Sequence, residues 1–454
     1  MRLRRAAISL TVALAVLSLA SPAQAAWQPE QPVNDDDAMV TDIKGALVGT
    51  ANDGTATSVW LEWRGNDARV SASRRPPGGD WDTPQPVADL TEHPTAGSGG
   101  VALTDMVVLP NGTAVISYEE YEAEASTGSV SRVVRLLRDG TVSDPLLNTY
   151  QRGWLLTADA DGDWLATARE ADRCACANYT WYFSDGTRKY LGAPQGFDLR
   201  FALGRGDQIF YAVDDPDTLF DADHTLRVGR IDASDGTTKL LALMRPAGNV
   251  TGFDLDANVR GDVALAWSVR REERGMPDTV KLLRRPAGGQ WESPQTLADS
   301  SGTRNRRIGA PQVELAGDGG ALIAWSSPRN DRGRVSLHST ALEPAGAPTP
   351  VQPLTRSIDP DSRSLRWDMV VNSSGRAALV FRHNAPCVTE PAISCHTVSA
   401  VRGVVGRRYG DPVMLFSSAT PYETVRLALS ETGSSIVLTV VAGTTRVETR
   451  ASPQ

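Results

Sequence analysis

Eight glycines recur along this chain at nearly even spacing, each in a short polar turn, and they constrain the fold more than any other feature. They are Gly54, Gly112, Gly162, Gly206, Gly261, Gly319, Gly375 and Gly433, separated by 58, 50, 44, 55, 58, 56 and 58 residues. Six places after each comes a residue within an apolar run, usually a large aromatic: Trp60, Tyr118, Ala168, Ala212, Trp267, Trp325, Phe381 and Thr439. A repeat of this length is one four-stranded blade with its loops. The expected fold is therefore all-β, a single β-propeller of four-stranded antiparallel blades, with eight blades as the first count and seven as the alternative. Such a scaffold carries unrelated chemistries, so function has to be read from sites.

Within each repeat a short apolar strand leads to Asn-Gly, Asp-Gly or Arg-Gly, and the chain returns in a strand apolar on both faces, as a blade between two others requires. Two-residue turns are the expectation at these dipeptides. A fourth element is clearest in Gly78-Gly79-Asp80-Trp81-Asp82-Thr83-Pro84 and Gly288-Gly289-Gln290-Trp291-Glu292-Ser293-Pro294. Its proline marks an outermost, edge strand. Trp27 is followed by Gln31, Pro32, Val33 and Asp35 at the offsets at which Trp81 is followed by Gln85, Pro86, Val87 and Asp89. The chain after residue 25 thus opens with a lone fourth strand, and the stretches 424–430, 434–441 and 445–451 supply three strands without a fourth. Joining them completes a blade, closes the ring and hides two sheet edges.

The Gly-Gly-x-Trp-x-x-Pro element after a basic third strand, with second strands such as Ala264-Leu265-Ala266-Trp267, resembles the repeats of secreted actinobacterial propellers grouped with sialidase-like proteins. The resemblance spans most of the chain and is clear in three or four repeats. The Asp-box of that family, Ser-x-Asp-x-Gly-x-Thr-Trp, occurs in no repeat, and no Arg-Ile-Pro signature stands near the N-terminus. The resemblance implies the scaffold and leaves the sialidase activity without its residues.

Residues 1–25 combine Arg2, Arg4 and Arg5, an apolar stretch from Ala6 to Ala20, and Ala23-Gln24-Ala25, the three parts of a secretory signal peptide. The reading is a signal peptide over 1–25 and a propeller domain over 26–454, secreted to the extracellular space. No later run reaches the about 20 apolar residues of a spanning helix, which argues against a membrane partner. The net charge of −8 becomes −11 without the three arginines, 43 bases against 54 acids. Nucleic acid is thereby disfavoured as a partner. Of the four cysteines, Cys387 and Cys395 flank one loop and are expected to pair, while Cys174 and Cys176 are left either in a tight ring or free.

Seven residues before each turn glycine stand Leu47, Asp105, Leu155, Leu199, Asp254, Gln312, Asp368 and Arg426, expected to face a central channel. Asp254 and Asp368 are the candidate catalytic pair, since two carboxylates on separate blades are the minimum for acid and base work on a glycoside. Arg426, with Asp105 and Gln312, is placed to hold a substrate, an arginine gripping a carboxylate at two points. Eight residues after the glycines, Glu62, Glu120, Glu170, Asp214 and His383 form a second candidate ligand-binding set. Asp159-Ala160-Asp161-Gly162-Asp163 has the alternate acids of a calcium loop without its later bidentate acid, so no cofactor is expected and Ca2+ stays open. Arg205-Gly206-Asp207 and Arg260-Gly261-Asp262 fall on the repeat's own turn and read as turn residues. No Ser lies in a nucleophile elbow and no His has metal-ligand spacing.

Two functions fit. The first is a non-catalytic, monomeric propeller binding a glycan or an extracellular protein, motivated by the missing catalytic signatures. The second is a carbohydrate-active enzyme, a glycosidase or polysaccharide lyase, using Asp254 and Asp368 with Arg426.

Overall fold

A computed structural model describes residues 27–452 except 35–38, 66, 91–100, 122–128, 150–151, 160, 170–178, 183–186, 192–197, 207, 217–223, 233–235, 247, 271–277, 301–307, 329–334, 345, 356–365, 388–392, 408 and 443. The described residues hold strands and turns and no helix, and among them are eight four-stranded antiparallel sheets. The first strands of the sheets, in chain order, are Asp42–Thr50, Ala102–Val108, Arg152–Ala158, Asp198–Gly204, Asn249–Ala257, Gln312–Leu315, Trp367–Val371 and Tyr422–Leu429. Seven sheets use four consecutive strands, and the eighth adds Gln31–Pro32 beside Val447–Ser452, with Gln31 opposite Thr449. Each first strand packs against the next, and that of the eighth sheet lies against that of the first. The fold is β-propeller-like.

The second strands carry the core. In Val263–Arg270 every residue but the last is buried. Leu265 and Trp267 pack with Phe210 and Val228 of the fourth sheet, and Ala264 and Ala266 with Val313 and Trp325 of the sixth. One strand therefore serves two clusters, which is why both of its faces must be apolar. Trp60, Trp267, Trp325 and Phe381, four of the residues six after a glycine, are at most 2 % exposed.

The turns differ from expectation. They are five-residue loops rather than two-residue turns: in the first sheet Thr50 pairs with Ala56, the Ala51 N–H donates to the Thr55 carbonyl (2.9 Å), and the Gly54 N–H to that of Ala51 (3.0 Å). The acid or amide before the glycine holds the loop open to this length. The Thr55 N–H donates to Asp53 Oδ1, the Thr113 N–H to Asn111 Oδ1, and the Gly320 N–H to Asp318 Oδ1, at 2.8–2.9 Å. All eight glycines have positive φ, from 62° at Gly206 to 93° at Gly162. The fourth sheet is the exception in length, with Gly204 paired to Gln208 and three residues between them.

Gly78 to Pro84 is a turn and an irregular segment rather than a strand, and the fourth strand starts after it at Gln85. Pro84 has no N–H for a ladder, and the Asp82 N–H is drawn back to the Arg74 carbonyl (2.6 Å). Cys387 and Cys395 form a disulfide, Cα to Cα 4.9 Å, across the seventh sheet's second hairpin. Residues 1–25, Cys174, Cys176 and Glu170 lie outside the described residues. No helix among the described residues is long and apolar enough to cross a membrane.

Candidate functional site

A first strand has a neighbour on one side only, so alternate N–H groups on its free edge have no ladder partner. Acids of the preceding sheet supply it. The Leu156 N–H donates to Asp105 Oδ2 (2.8 Å), the Val313 N–H to Asp254 Oδ2 (2.9 Å), and the Leu427 N–H to Asp368 Oδ2 (3.3 Å). Asp256 repeats the contact one step along, accepting from the Leu315 N–H (2.6 Å). The other oxygen of Asp105, Asp256 and Asp368 accepts the N–H of the residue that follows it, at 2.8–3.0 Å. Three of the residues seven before a glycine therefore clamp one sheet to the next. Gln312 and Arg426 occupy the same position in the sixth and eighth sheets, paired across to Ala324 and Leu438.

In the fourth sheet the position belongs to Arg200, not Leu199. Elsewhere the residue seven before the glycine pairs with the one five after it, but the three-residue turn shifts the register, so Leu199 pairs with Val213 and Arg200 with Ala212. Ala212 and Phe210 face the fifth sheet, and Arg200 lies on the same side, its guanidinium 5.8 Å from the Phe253 ring centre and beside Asp254. Asp256 and Glu314 were also missed. Both sit two places beyond an expected site residue, on the same face of a strand with period two, and that alternation is the signal that would have found them.

The result is a cluster of acids with two arginines. Asp254, Asp256, Glu314 and Asp368 are half-buried: solvent reaches them, but protein walls them in. Burial raises Asp105 to about 6, against the N–H bonds from Leu156 and Met106 and the charge of Arg426, which lower it. Burial raises Asp254 to about 6, opposed by the Val313 N–H and by Arg200. Asp256 goes up through burial and through the charge of Asp254, and Asp368 through burial, opposed by Arg426. Glu314 is pushed well above the carboxylate range, by burial first and then by Asp256, Asp254 and Asp368. No hydrogen bond or ion pair ties the Glu314 carboxyl among the described residues. Arg426 is exposed and acts on both Asp105 and Asp368, so it links the second and seventh sheets electrostatically.

Beside Asp368 and Arg426, with Trp367, Arg382 and Thr424, is a cavity of about 100 Å³. That is below the roughly 150 Å³ of an engineered cavity that takes benzene, so it admits only a group of a few heavy atoms.

The second candidate set is engaged within the sheets. Glu62 is 3 % exposed and accepts from Trp60 Nε1 and Arg64 Nε, each at 2.9 Å. Glu120 pairs with Arg132, and Asp214 is buried. His383 meets Ser399 Oγ through Nε2 (2.9 Å) and stands 5.3 Å from the Phe381 ring. In the acidic loop of the third sheet, Asp159 Oδ1 accepts the N–H groups of Asp161, Gly162 and Asp163 at 3.0 Å. Asn258 Oδ1 does the same for Arg260 and Asp262, and Asn372 Oδ1 for Arg376. Asp159 is thus a turn residue equivalent to two asparagines, and burial raises it to about 6.

No protein-family model matches this chain, and no curated protein matches it. Among solved structures it is similar to a protein of unknown function from Dyadobacter fermentans, 10 % identical with TM-score 0.38, covering 95 % of this chain and 100 % of that one. It is similar to the polysaccharide lyase Uly1, 7 % identical with TM-score 0.47, covering 81 % and 92 %. It is also similar to the arabinofuranosidase arb93a from Fusarium graminearum, 10 % identical with TM-score 0.36, covering 94 % and 98 %. The expectation of a non-catalytic binding propeller is corrected at this point. Polysaccharide lyases and arabinofuranosidases stand among the structures of similar fold, and the chain's own first strands gather carboxyls of raised pKa.

Proposed function

We propose that this chain is a secreted carbohydrate-active enzyme, a glycosidase or polysaccharide lyase acting on an acidic glycan. The observation that carries it is the Glu314 carboxyl, untied and raised well above the usual range among Asp254, Asp256 and Asp368. A carboxyl whose pKa is raised by burial and neighbouring acids is suited to act as a general acid. Glu314 donates that proton to the glycosidic oxygen as the bond breaks, a step that hydrolysis and elimination share. Asp368 is the companion base, and Arg426 and the small cavity beside it take the carboxylate of the sugar. Asp254 and Asp256, each bonded to backbone N–H groups, sustain the negative field that raises Glu314.

The same proposal takes the eight sheets as eight blades, the ring closed where Gln31–Pro32 joins the last three strands, and this reading is supported by the antiparallel sheet that the two ends of the chain share. It takes residues 1–25 as a signal peptide and 26–454 as one propeller domain, supported by the three-part N-terminus and by a disulfide suited to an oxidising compartment.

The test is turnover of a panel of acidic polysaccharides, read both as new reducing ends and as the ultraviolet absorbance of unsaturated uronate. Glu314→Gln should lower kcat by about 10²–10⁴-fold. Absence of turnover across the panel, or a Glu314→Gln variant as active as the parent, overturns the proposal.

A further inference from the structure

At the turn end of the sheets, neighbouring five-residue loops abut. A Cβ built on Gly54 would lie 3.5 Å from Thr432 Oγ1, on Gly112 4.0 Å from Ala51 Cβ, on Gly375 3.7 Å from Ala316 Cβ and on Gly319 2.8 Å from Asp262 Oδ2. Hydrogen bonds cross the same seams, Asn258 Nδ2 to the Ala316 carbonyl (2.7 Å) and Asn372 Nδ2 to that of Ser430 (2.9 Å). Between the fourth and fifth sheets this seam opens. The turn after Gly204 is two residues shorter, nothing comes within 4 Å of a Cβ on Gly206, and on Gly261 only Gln208 Oε1 does so, at 3.9 Å.

The gap is a cleft of about 410 Å³ lined by Arg205, Gly206, Gln208, Arg260, Gly261, Arg285 and Gly288. Arg205 is exposed and makes no hydrogen bond or ion pair among the described residues. Arg260 is anchored through Nη1 to the Asp318 carbonyl (2.6 Å), with Asp262 Oδ2 3.7 Å from its Nε. Arg285 is held by its Nε to the Gly289 carbonyl (3.2 Å) and lies 6.0 Å from the Phe210 ring centre. The first sheet shows what normally fills this place. Arg75, the counterpart of Arg285, makes the same Nε bond to Gly79 (2.7 Å), but its Nη2 is taken by Gln28 Oε1 (2.7 Å). Among the described residues no side chain bonds the outer N–H groups of Arg285, which lines the cleft.

We propose that this cleft is a binding site for a tetrahedral oxyanion, a sulfate or phosphate group, held in the guanidinium forks of Arg205, Arg260 and Arg285. Planar guanidinium groups bind such oxygens at two points, and the volume exceeds one ion, which leaves room for a larger molecule that carries the group. In a chain of net charge −8 the cleft draws three arginines together, with Asp262 the described acid beside them. The site is separate from the acid cluster: Gly261 is seven residues after Asp254, in the turn beyond the end of the first strand at Ala257.

Isothermal titration of the intact protein with sodium sulfate, sodium phosphate, a sulfated disaccharide and its unsulfated parent tests it. Either inorganic ion or the sulfated sugar should bind, more weakly as salt rises, and the unsulfated sugar should not. Arg205→Glu should weaken binding about tenfold or more, with its thermal melt unchanged. Inserting two residues beside Gly206, which restores the usual turn length, should abolish binding, and Glu314→Gln should leave it intact. Binding of phosphate and sulfate alike without gain from the sugar identifies a free-anion site and supports the assignment. A flat titration with all four probes, or equal affinity in Arg205→Glu, overturns it. Should Arg285→Ala fail to fold, Arg205→Glu and Arg260→Ala, both at exposed side chains, still decide.

Discussion

Asp254 is the sharpest test of the idea that the first-strand acids clamp neighbouring sheets at a cost in charge. Its carboxyl rises from 3.8 to about 6 because it is buried. A carboxyl raised in the fold adds stability that is full below about pH 4 and is lost as pH rises through about 6. At 1.36 kcal/mol per pH unit, ionised Asp254 costs the fold about 3 kcal/mol, an upper bound because solvent reaches it. Asp254→Asn keeps an oxygen for the Val313 N–H and removes the titration. Its stability should match the parent near pH 4 and exceed it by up to about 3 kcal/mol at pH 8. Asp254→Ala strands the Val313 N–H and should fall about 1–3 kcal/mol below the parent at pH 4. The assay is urea denaturation followed by tryptophan fluorescence from pH 4 to pH 8. Parallel profiles for parent and Asp254→Asn, or equal stability of the Ala and Asn variants at pH 4, would refute the reasoning.

Arg200→Leu removes the cation that lowers Asp254, so the pH-dependent loss of stability should move to higher pH in the same assay. Cys387→Ser opens a loop of sequence separation 8; chain entropy gives a loss of about 2.5 kcal/mol, read as a lower denaturation midpoint that reductant reproduces in the parent. Gly112→Ala, at φ 85° with Arg138 Cδ no nearer than 3.7 Å, meets no clash and should cost only the left-handed backbone term of about 1–2 kcal/mol. Asn372→Ala loses the acceptor for Arg376 and the donor to Ser430 and Glu431, and faster amide exchange at the turns of the seventh and eighth sheets is the expected readout.

Much of the architecture is local and was legible. The spacing of Gly54 to Gly433, the doubly apolar second strands and prolines such as Pro84 and Pro294 before an outermost strand are short-range requirements of backbone and burial. They foretold four-stranded units, and the match of Trp27 to Trp81 foretold that Gln31–Pro32 would share a sheet with the last strands. Turn length was misjudged because Asp53 or Asn111 side chains bond the backbone two residues on, an option that dipeptide identity does not reveal.

The site was legible only in part, for a related reason. Counting from the glycines located Asp105, Asp254, Asp368 and Arg426 on one level, because seven sheets keep the same hairpin register. It placed Leu199 where Arg200 stands, since a turn of three residues shifts every pairing by one. Sequence alone determined which residues could be charged on an otherwise apolar strand. Tertiary structure decided what their charges do: whether the next sheet presents an N–H to each carboxylate, as Val313 does to Asp254, or leaves it untied, as with Glu314. That difference arises from contacts some 59 residues apart along the chain, where neighbouring strands are brought edge to edge and water is thinned, and no local pattern encodes the electric field that results.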